Sequence, residues 1–390
     1  MPPEAVAGRD GLSRLLVAIV VLAGVLSLAG IALLWPGGFS TVAGEQAPLV
    51  GARVLDVEVI EQAGPGAGLS PLDASGLILL EVEIIEGESA GTVLVLDLPA
   101  EGYPEFRIGD VVELIASDIP GQGTTWFVTD VRRLGALGWL ALVFVGGVLM
   151  VGRWRGLRAL VGLAISLWVV VGFMLPAILS GSSPPLVALV GGTTILLVTL
   201  YLSHGLNRMT TAAAVGTLGA LVTTVVIALV AIDGTRITGF ASEDAVFARF
   251  AIGELDLRGL VLAGLIVAAL GVLDDVTVSQ ASTVFTVHEA DPSQSFAQLV
   301  ARGMRVGRDH IASVVNTLFL AYAGASLGLL VLFTTSGLPV RELLNTELVA
   351  VELVKTMVGS LGLLAAVPLT TVIAAASVAG TEPSGHHGHH

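Results

Sequence analysis

Apolar residues come in two rhythms along this chain. Long unbroken runs alternate with one stretch in which apolar and polar residues trade places every second position. The first long run is 15–34, "LLVAIVVLAGVLSLAGIALL", with Arg9 and Arg14 before it and "WPGG" after it. It exceeds the roughly 7–15 apolar residues of a cleaved signal peptide and meets the roughly 20 needed to span a bilayer, so it predicts an anchor. Seven further spans are predicted near 136–152, 157–179, 185–203, 209–232, 259–280, 310–334 and 356–379. The fold class expected is therefore a polytopic α-helical membrane protein with about eight transmembrane helices.

The second rhythm fills 41–131. "ARVLDVEVIEQ", "GLILLEVEIIE", "GTVLVLDLP", "DVVELIA" and "TWFVTDVRR" alternate with period two between Gly, Pro and Asp punctuation. This predicts a small all-β domain, an OB-like barrel or a sandwich, inserted between the first two spans. The domains expected are a cytoplasmic N-terminus with the first span (1–35), the β-domain (41–131), a seven-helix membrane domain (136–380) and a His-containing tail (381–390).

Composition sharpens this picture. The chain is 54% hydrophobic and 13% charged, against about 25% charged in soluble domains. Its mean hydropathy is +0.89. It has no cysteine, which excludes disulfides, iron–sulfur clusters and thiolate metal sites. The whole net charge of −14 resides in residues 40–131, which hold 16 acids and two arginines. Such a surface excludes nucleic acid as a partner. It either attracts cations or simply keeps the domain soluble.

Arginines orient the chain. Arg153, Arg155, Arg158, Arg208, Arg302, Arg305 and Arg308 fall on the side of Arg9 and Arg14. By the positive-inside rule that side is cytoplasmic, which puts both termini inside and the β-domain outside a bacterial cytoplasmic membrane. Arg132, Arg133, Arg236, Arg249, Arg258, Arg341 and Lys355 oppose it. Within the outer connections, "SEDAVFARF" predicts a helix capped by Ser242. Residues 343–355 predict an amphipathic extension of the last helix in which Glu352 pairs with Lys355, the only lysine.

The chemistry gathers in "GVLDDVTVSQAST" (271–283). If the sixth span starts near Leu260, Asp274 lies about 21 Å along it, in the cytoplasmic half of a ~30 Å hydrocarbon core. Asp275, Ser279, Ser282 and Thr286 share one helical stripe. The seventh span answers with Asp309, Ser313 and Asn316, and Asn316 is expected at the depth of the aspartates. Intramembrane acids are expensive and usually line a pathway or cavity. Carboxylates, hydroxyls and an amide are the ligands that hard cations prefer. The expected ion or proton site is thus Asp274, Asp275, Ser279, Asn316 and Thr317, with Asp309 at the cytoplasmic mouth. Two plainer readings stand beside it: the acids bond a neighbouring helix, or the helix ends near Leu273 and leaves them in the headgroups.

Pro176 and Pro368 mark sites where helices kink, and "GHHGHH" is either a divalent-metal tract or a frayed end. No phosphate-binding, nucleophile-elbow or zinc-protease motif is present, so no cofactor beyond a bound cation is expected.

"LRGLVLAGLIVAALGVLDDVTVSQAST" with "GRDHIASVVNTLFLAYAGASL" resembles the YibE/F family of bacterial membrane proteins, and the likeness runs upstream through "LVGGTTILLVTLYLSHGLNRMTTAAAVGTLGAL". Gly271, Asp275, Ser279, Ser282, Gly307, Arg308, Asp309, Asn316, Thr317 and Gly324 fall at the family's polar and glycine positions, and the double aspartate looks like the actinobacterial version. The resemblance implies a membrane body with an inserted β-domain; it implies no activity. The function expected from the residues is a cation- or proton-coupled secondary transporter for a small solute. The alternative is a non-transporting envelope protein whose outer β-domain docks a partner, and a membrane enzyme ranks last.

Overall fold

A computed structural model describes residues 3–36, 49–60, 76–100, 102–119, 123–241, 243–253 and 255–379. The Ser242 cap and the histidine tail lie outside them. The chain divides into two compact units, residues 40–151 and residues 1–39 with 152–390.

The first unit is a five-stranded antiparallel sheet: β1 (Leu49–Ile60), β2 (Leu77–Ile84), β3 (Val93–Pro99), β4 (Val111–Ile119) and β5 (Gly123–Val131), in the order β3-β2-β1-β4-β5. All five alternating stretches became strands. Their inward residues, among them Val54, Leu80, Val82, Val112, Leu114 and Val128, form one core. The β3 and β5 edges carry no ladder between them among the described residues, so the sheet is open. "FRIGDVVEL" is a turn, as expected: Gly109 takes a positive φ of 94°, and the Arg107 N–H donates to Asp110 Oδ2 at 2.9 Å before β4 begins.

An ion network, not foreseen from the sequence, ties this unit together. Arg132, just after β5, donates to Glu86 Oε1 and Oε2 at 2.7 and 2.8 Å and to Glu113 Oε1 at 2.6 Å. Glu86 also accepts from the Gly51 N–H at 3.2 Å. Glycine at position 51 lets the network sit close against β1: a Cβ there would stand 2.6 Å from Arg132 Nη2, so the ion pair would have to shift. The guanidinium lowers the Glu86 carboxyl from 4.5 to about 2. A folded-state value depressed in this way stabilises the fold fully above about pH 4.5, and the stabilisation is lost as pH falls toward 2. Arg132→Gln is expected to remove that acid limb. Hydrogen exchange of the β1 and β4 amides, corrected for intrinsic rates, should lose its extra protection above pH 4.5; protection equal to wild type at every pH would contradict this.

The second unit is helical. It comprises α1 (Pro3–Leu34), the second half of α2 (Leu134–Val169), a π-helical stretch (Val170–Met174), α3 (Leu175–Leu179), α4 (Pro184–His204), α5 (Arg208–Gly234), α6 (Glu243–Ile252), α7 (Leu257–Ala290), α8 (Phe296–Ala325), α9 (Leu327–Thr335), α10 (Val340–Leu344) and α11 (Glu347–Val378). Among the described residues six helices are long and apolar enough to cross a membrane, or seven if α8 and α9, bent by 63°, make one span. The expected number was eight. The difference lies in α2: Leu134–Leu179 counts as one 46-residue span, although two helical stretches meet at a kink in the expected loop "GRWRGLR". Arg153 interrupts it with φ 49° and ψ −129°, a left-handed conformation costly for any side chain but glycine.

Pro176 explains the π stretch before it. Proline has no N–H for the carbonyl four residues back, and the helix widens to accommodate the loss. Pro368, by contrast, sits inside an unbroken α11. The centre of the bundle is α5, α7 and α11, flanked by α4, α8 and α1. Small residues set the closest approaches: Gly216 faces Thr370, Gly362 faces Thr224, and Gly303 and Gly307 lie against Thr371, Val367 and Gln280. Lipid offers helices no hydrophobic drive to associate, so close packing and interhelical hydrogen bonds must hold them.

Candidate functional site

The aspartates lie on α7, which is capped by Asp256 accepting from the Gly259 N–H at 2.8 Å and runs unbroken to Ala290. The helix therefore does not end near Leu273. Asp274 sits midway along it, nearer the centre than a helix stopping at residue 280 implies.

Successive residues on a helix point 100° apart, and the pair divides accordingly. Asp274 is partly buried on the flank of α7, and its Oδ1 is fully buried with no hydrogen-bond partner among the described residues. Asp275 and Ser279 are exposed on the opposite side from the buried stripe Leu273, Val276, Thr277, Gln280 and Val284. No hydrogen bond joins any of the six expected site residues to another across helices among the described residues.

The α8 half of the expected site is placed differently from the sequence reading. The helix starts at Phe296, well before residue 310, under a capping box made by Ser295 and Gln298. Gln280 contacts the chain at Gly303 and Gly307, which fixes the antiparallel register with α7. That register puts residues 309–313 level with Asp274, and Asn316 about one turn further along. α8 buries Leu299, Gly303, Gly307 and Leu318. Asp309, Ser313, Asn316 and Thr317 are exposed, and the Thr317 hydroxyl donates to its own helix at Ser313 O. Among the described residues, no group of three or more His, Asp or Glu could hold a metal ion.

Next to Asp274 lies a polar seam that hydropathy hides. The Thr277 hydroxyl donates to the Asp274 carbonyl at 3.1 Å and pairs with the Thr217 hydroxyl of α5 at 2.6 Å. One turn further, Gln280 Nε2 donates to Gly303 O of α8 at 2.9 Å and to Thr371 Oγ1 of α11 at 2.6 Å. Thr217, Thr277, Gln280 and Thr371 are all buried. The only sequence signal was polar residues at buried positions of apolar helices. Gln280→Leu keeps the volume but deletes both interhelical bonds. Each such bond is worth about 0.6 kcal/mol in membranes, so a loss of about 1–2 kcal/mol is expected in thermal unfolding in detergent; a stability gain would show the amide to be a burden.

On the other side of the bundle, α7, α9 and α11 frame a cleft of about 540 Å³. Leu257, Leu260, Val261, Leu329 and Leu332 form apolar walls, and the expected Glu352–Lys355 pair lines it, with Nζ 2.8 Å from Oε1. Glu347 closes the adjoining loop by accepting from the Thr238 and Gly239 N–H groups at 2.9 and 2.7 Å. The helix expected around "SEDAVFARF" is α6.

Comparison with known proteins fits this architecture. No curated protein and no solved structure matches the chain. A family model described as YibE/F-like protein matches residues 140–380. That range covers more than half the chain, including the α5–α7–α11 centre and α8. The chain therefore belongs to the YibE/F-like family, and its apolar helices make it a membrane protein.

Proposed function

We propose that this protein is a secondary transporter of the bacterial cytoplasmic membrane, with Asp274 as the group that exchanges the coupling ion. The carrying observation is the buried Asp274 Oδ1, which lacks a partner midway along a membrane-crossing helix. A polar atom in that setting costs free energy until something pairs with it. A proton or a small cation supplies the partner, and its release restores the cost, which is the basis of a coupled cycle. Asp275 and Asp309 are the exposed acids through which the ion arrives. The solute is a small molecule, and no covalent chemistry is assigned.

On this reading Leu134–Leu179, about 69 Å long at 1.5 Å per residue, crosses a ~30 Å core twice with its turn at Arg153. That gives eight crossings, an inner face rich in arginine, both termini inside and an OB-like β-unit outside. An envelope-docking role is the second reading. It is favoured by β3, which has no further strand on its outer edge among the described residues and where Val93 and Val95 are 49% and 64% exposed.

The test is thermal unfolding of the purified protein across pH and with Na⁺, K⁺, Mg²⁺, Ca²⁺, Mn²⁺ or Zn²⁺, alongside Asp274→Asn. A ligand at 100 times its dissociation constant stabilises by about 2.7 kcal/mol. The transporter reading expects a proton- or cation-specific shift in wild type that the variant lacks. Identical responses of the two proteins would move the weight to the docking reading.

A further inference from the structure

We infer that the protein holds one anionic phospholipid in the cleft between α1 and the α4–α5 turn. The cleft has a volume of about 440 Å³ and is lined by Leu16, Val17, Val20 and Val21 of α1, by Tyr201 and Thr211, and by Leu206, Asn207 and Arg208.

Its two ends differ in chemistry. The α1 wall is apolar from Leu16 to Val21, about 8 Å at the helical rise. Val17 and Val21 are both more than half exposed along it, so the strip is open to an acyl chain. The other end is polar and cationic. Tyr201 Oη and Thr211 Oγ1, 3.2 Å apart, bridge α4 and α5 there. Arg208 is exposed beside them and makes no ion pair among the described residues. Among the described residues no Asp or Glu lines the cleft. Asn207 caps α5 by accepting from the Thr210 N–H at 2.8 Å, so the charge at this end comes from the guanidinium.

An apolar groove that ends in an exposed guanidinium complements a molecule with a hydrocarbon tail and a phosphate head. Basic pockets between membrane helices bind anionic headgroups for this reason. A zwitterionic lipid fits the same strip but brings no net charge to Arg208. The site shares no residue with Asp274 or its seam, so the lipid and the transport reading stand or fall separately.

The full-length protein, reconstituted in phosphatidylcholine nanodiscs with and without phosphatidylglycerol, tests this by native mass spectrometry of the retained lipids. Wild type is expected to retain one phosphatidylglycerol in preference to phosphatidylcholine. Arg208→Gln should weaken that retention about fivefold, the worth of one arginine near an anionic surface. Val17→Trp, which fills the strip, should abolish it; Arg208→Gln decides if that variant does not fold. Equal retention of both lipids, or unchanged retention by Arg208→Gln, overturns the proposal. So does an Arg208-dependent thermal shift reproduced by inorganic phosphate alone, which would make the cleft a phosphate site. Retention that appears only after residues 381–390 are removed also overturns it, since the occupant is then the chain's own tail.

Discussion

Gly216→Val is expected to cost about 3 kcal/mol and to unfold the bundle at a visibly lower temperature in detergent. A Cβ at position 216 would overlap the Thr370 hydroxyl and stand 3.2 Å from the Thr370 Cα. Backbone cannot yield as a flexible side-chain end can, so α5 and α11 must move apart. Valine adds two further atoms to that clash. Overpacking of a tight core typically costs about 1–3 kcal/mol, and the upper end applies because the neighbours of the clash, Thr217 on α5 and Thr371 on α11, each hydrogen-bond α7 and would be displaced with it. Gly271→Val is the matched control, since nothing lies within 4 Å of a Cβ there. Equal destabilisation of the two variants would mean that helix propensity, not contact, sets the cost.

Asp274→Asn is expected to act in the opposite direction. The amide keeps the shape of the side chain and removes the charge. An ionised aspartate at the centre of a membrane helix carries a penalty of roughly 2.5–3.5 kcal/mol. The variant should therefore unfold at a higher temperature than wild type in the absence of the coupling ion, with a gain of up to about 3 kcal/mol. Asp275→Asn, on the exposed face, should change stability much less. A destabilised Asp274→Asn would reveal a structural partner for the carboxylate and remove the main support for ion exchange there.

Local rhythm was enough to read most of the elements. The five strands followed from period-two alternation, and the Glu352–Lys355 pair from spacing on one helix. The beginning of α8 was missed because Arg302, Arg305 and Arg308 dilute its apolar stripe, although Ser295 and Gln298 spell a capping box. The site was only partly legible. A helical stripe shows which residues share a face, not which neighbour that face meets. Asp275, Ser279 and Asn316 each stand on a consistent stripe, yet those stripes face away from the packed centre. The contacts that tie the bundle join residues far apart in the chain: Thr217 to Thr277, and Gln280 to Thr371. The Arg132–Glu86–Glu113 network likewise needs β2, β1, β4 and β5 all in register, which no single strand encodes.

The solitary Lys355 makes this protein a natural single-label reagent. Apart from the α-amine, an amine-reactive dye has one target in the whole chain, and that target lines the cleft beside α9 while tied to Glu352. A membrane-impermeant dye applied to intact cells would report in one step which side of the bilayer the cleft faces. The labelling rate would then follow the breathing of the ion pair, giving a clock for any motion that opens the cleft, with no cysteine to introduce and no competing lysine to remove.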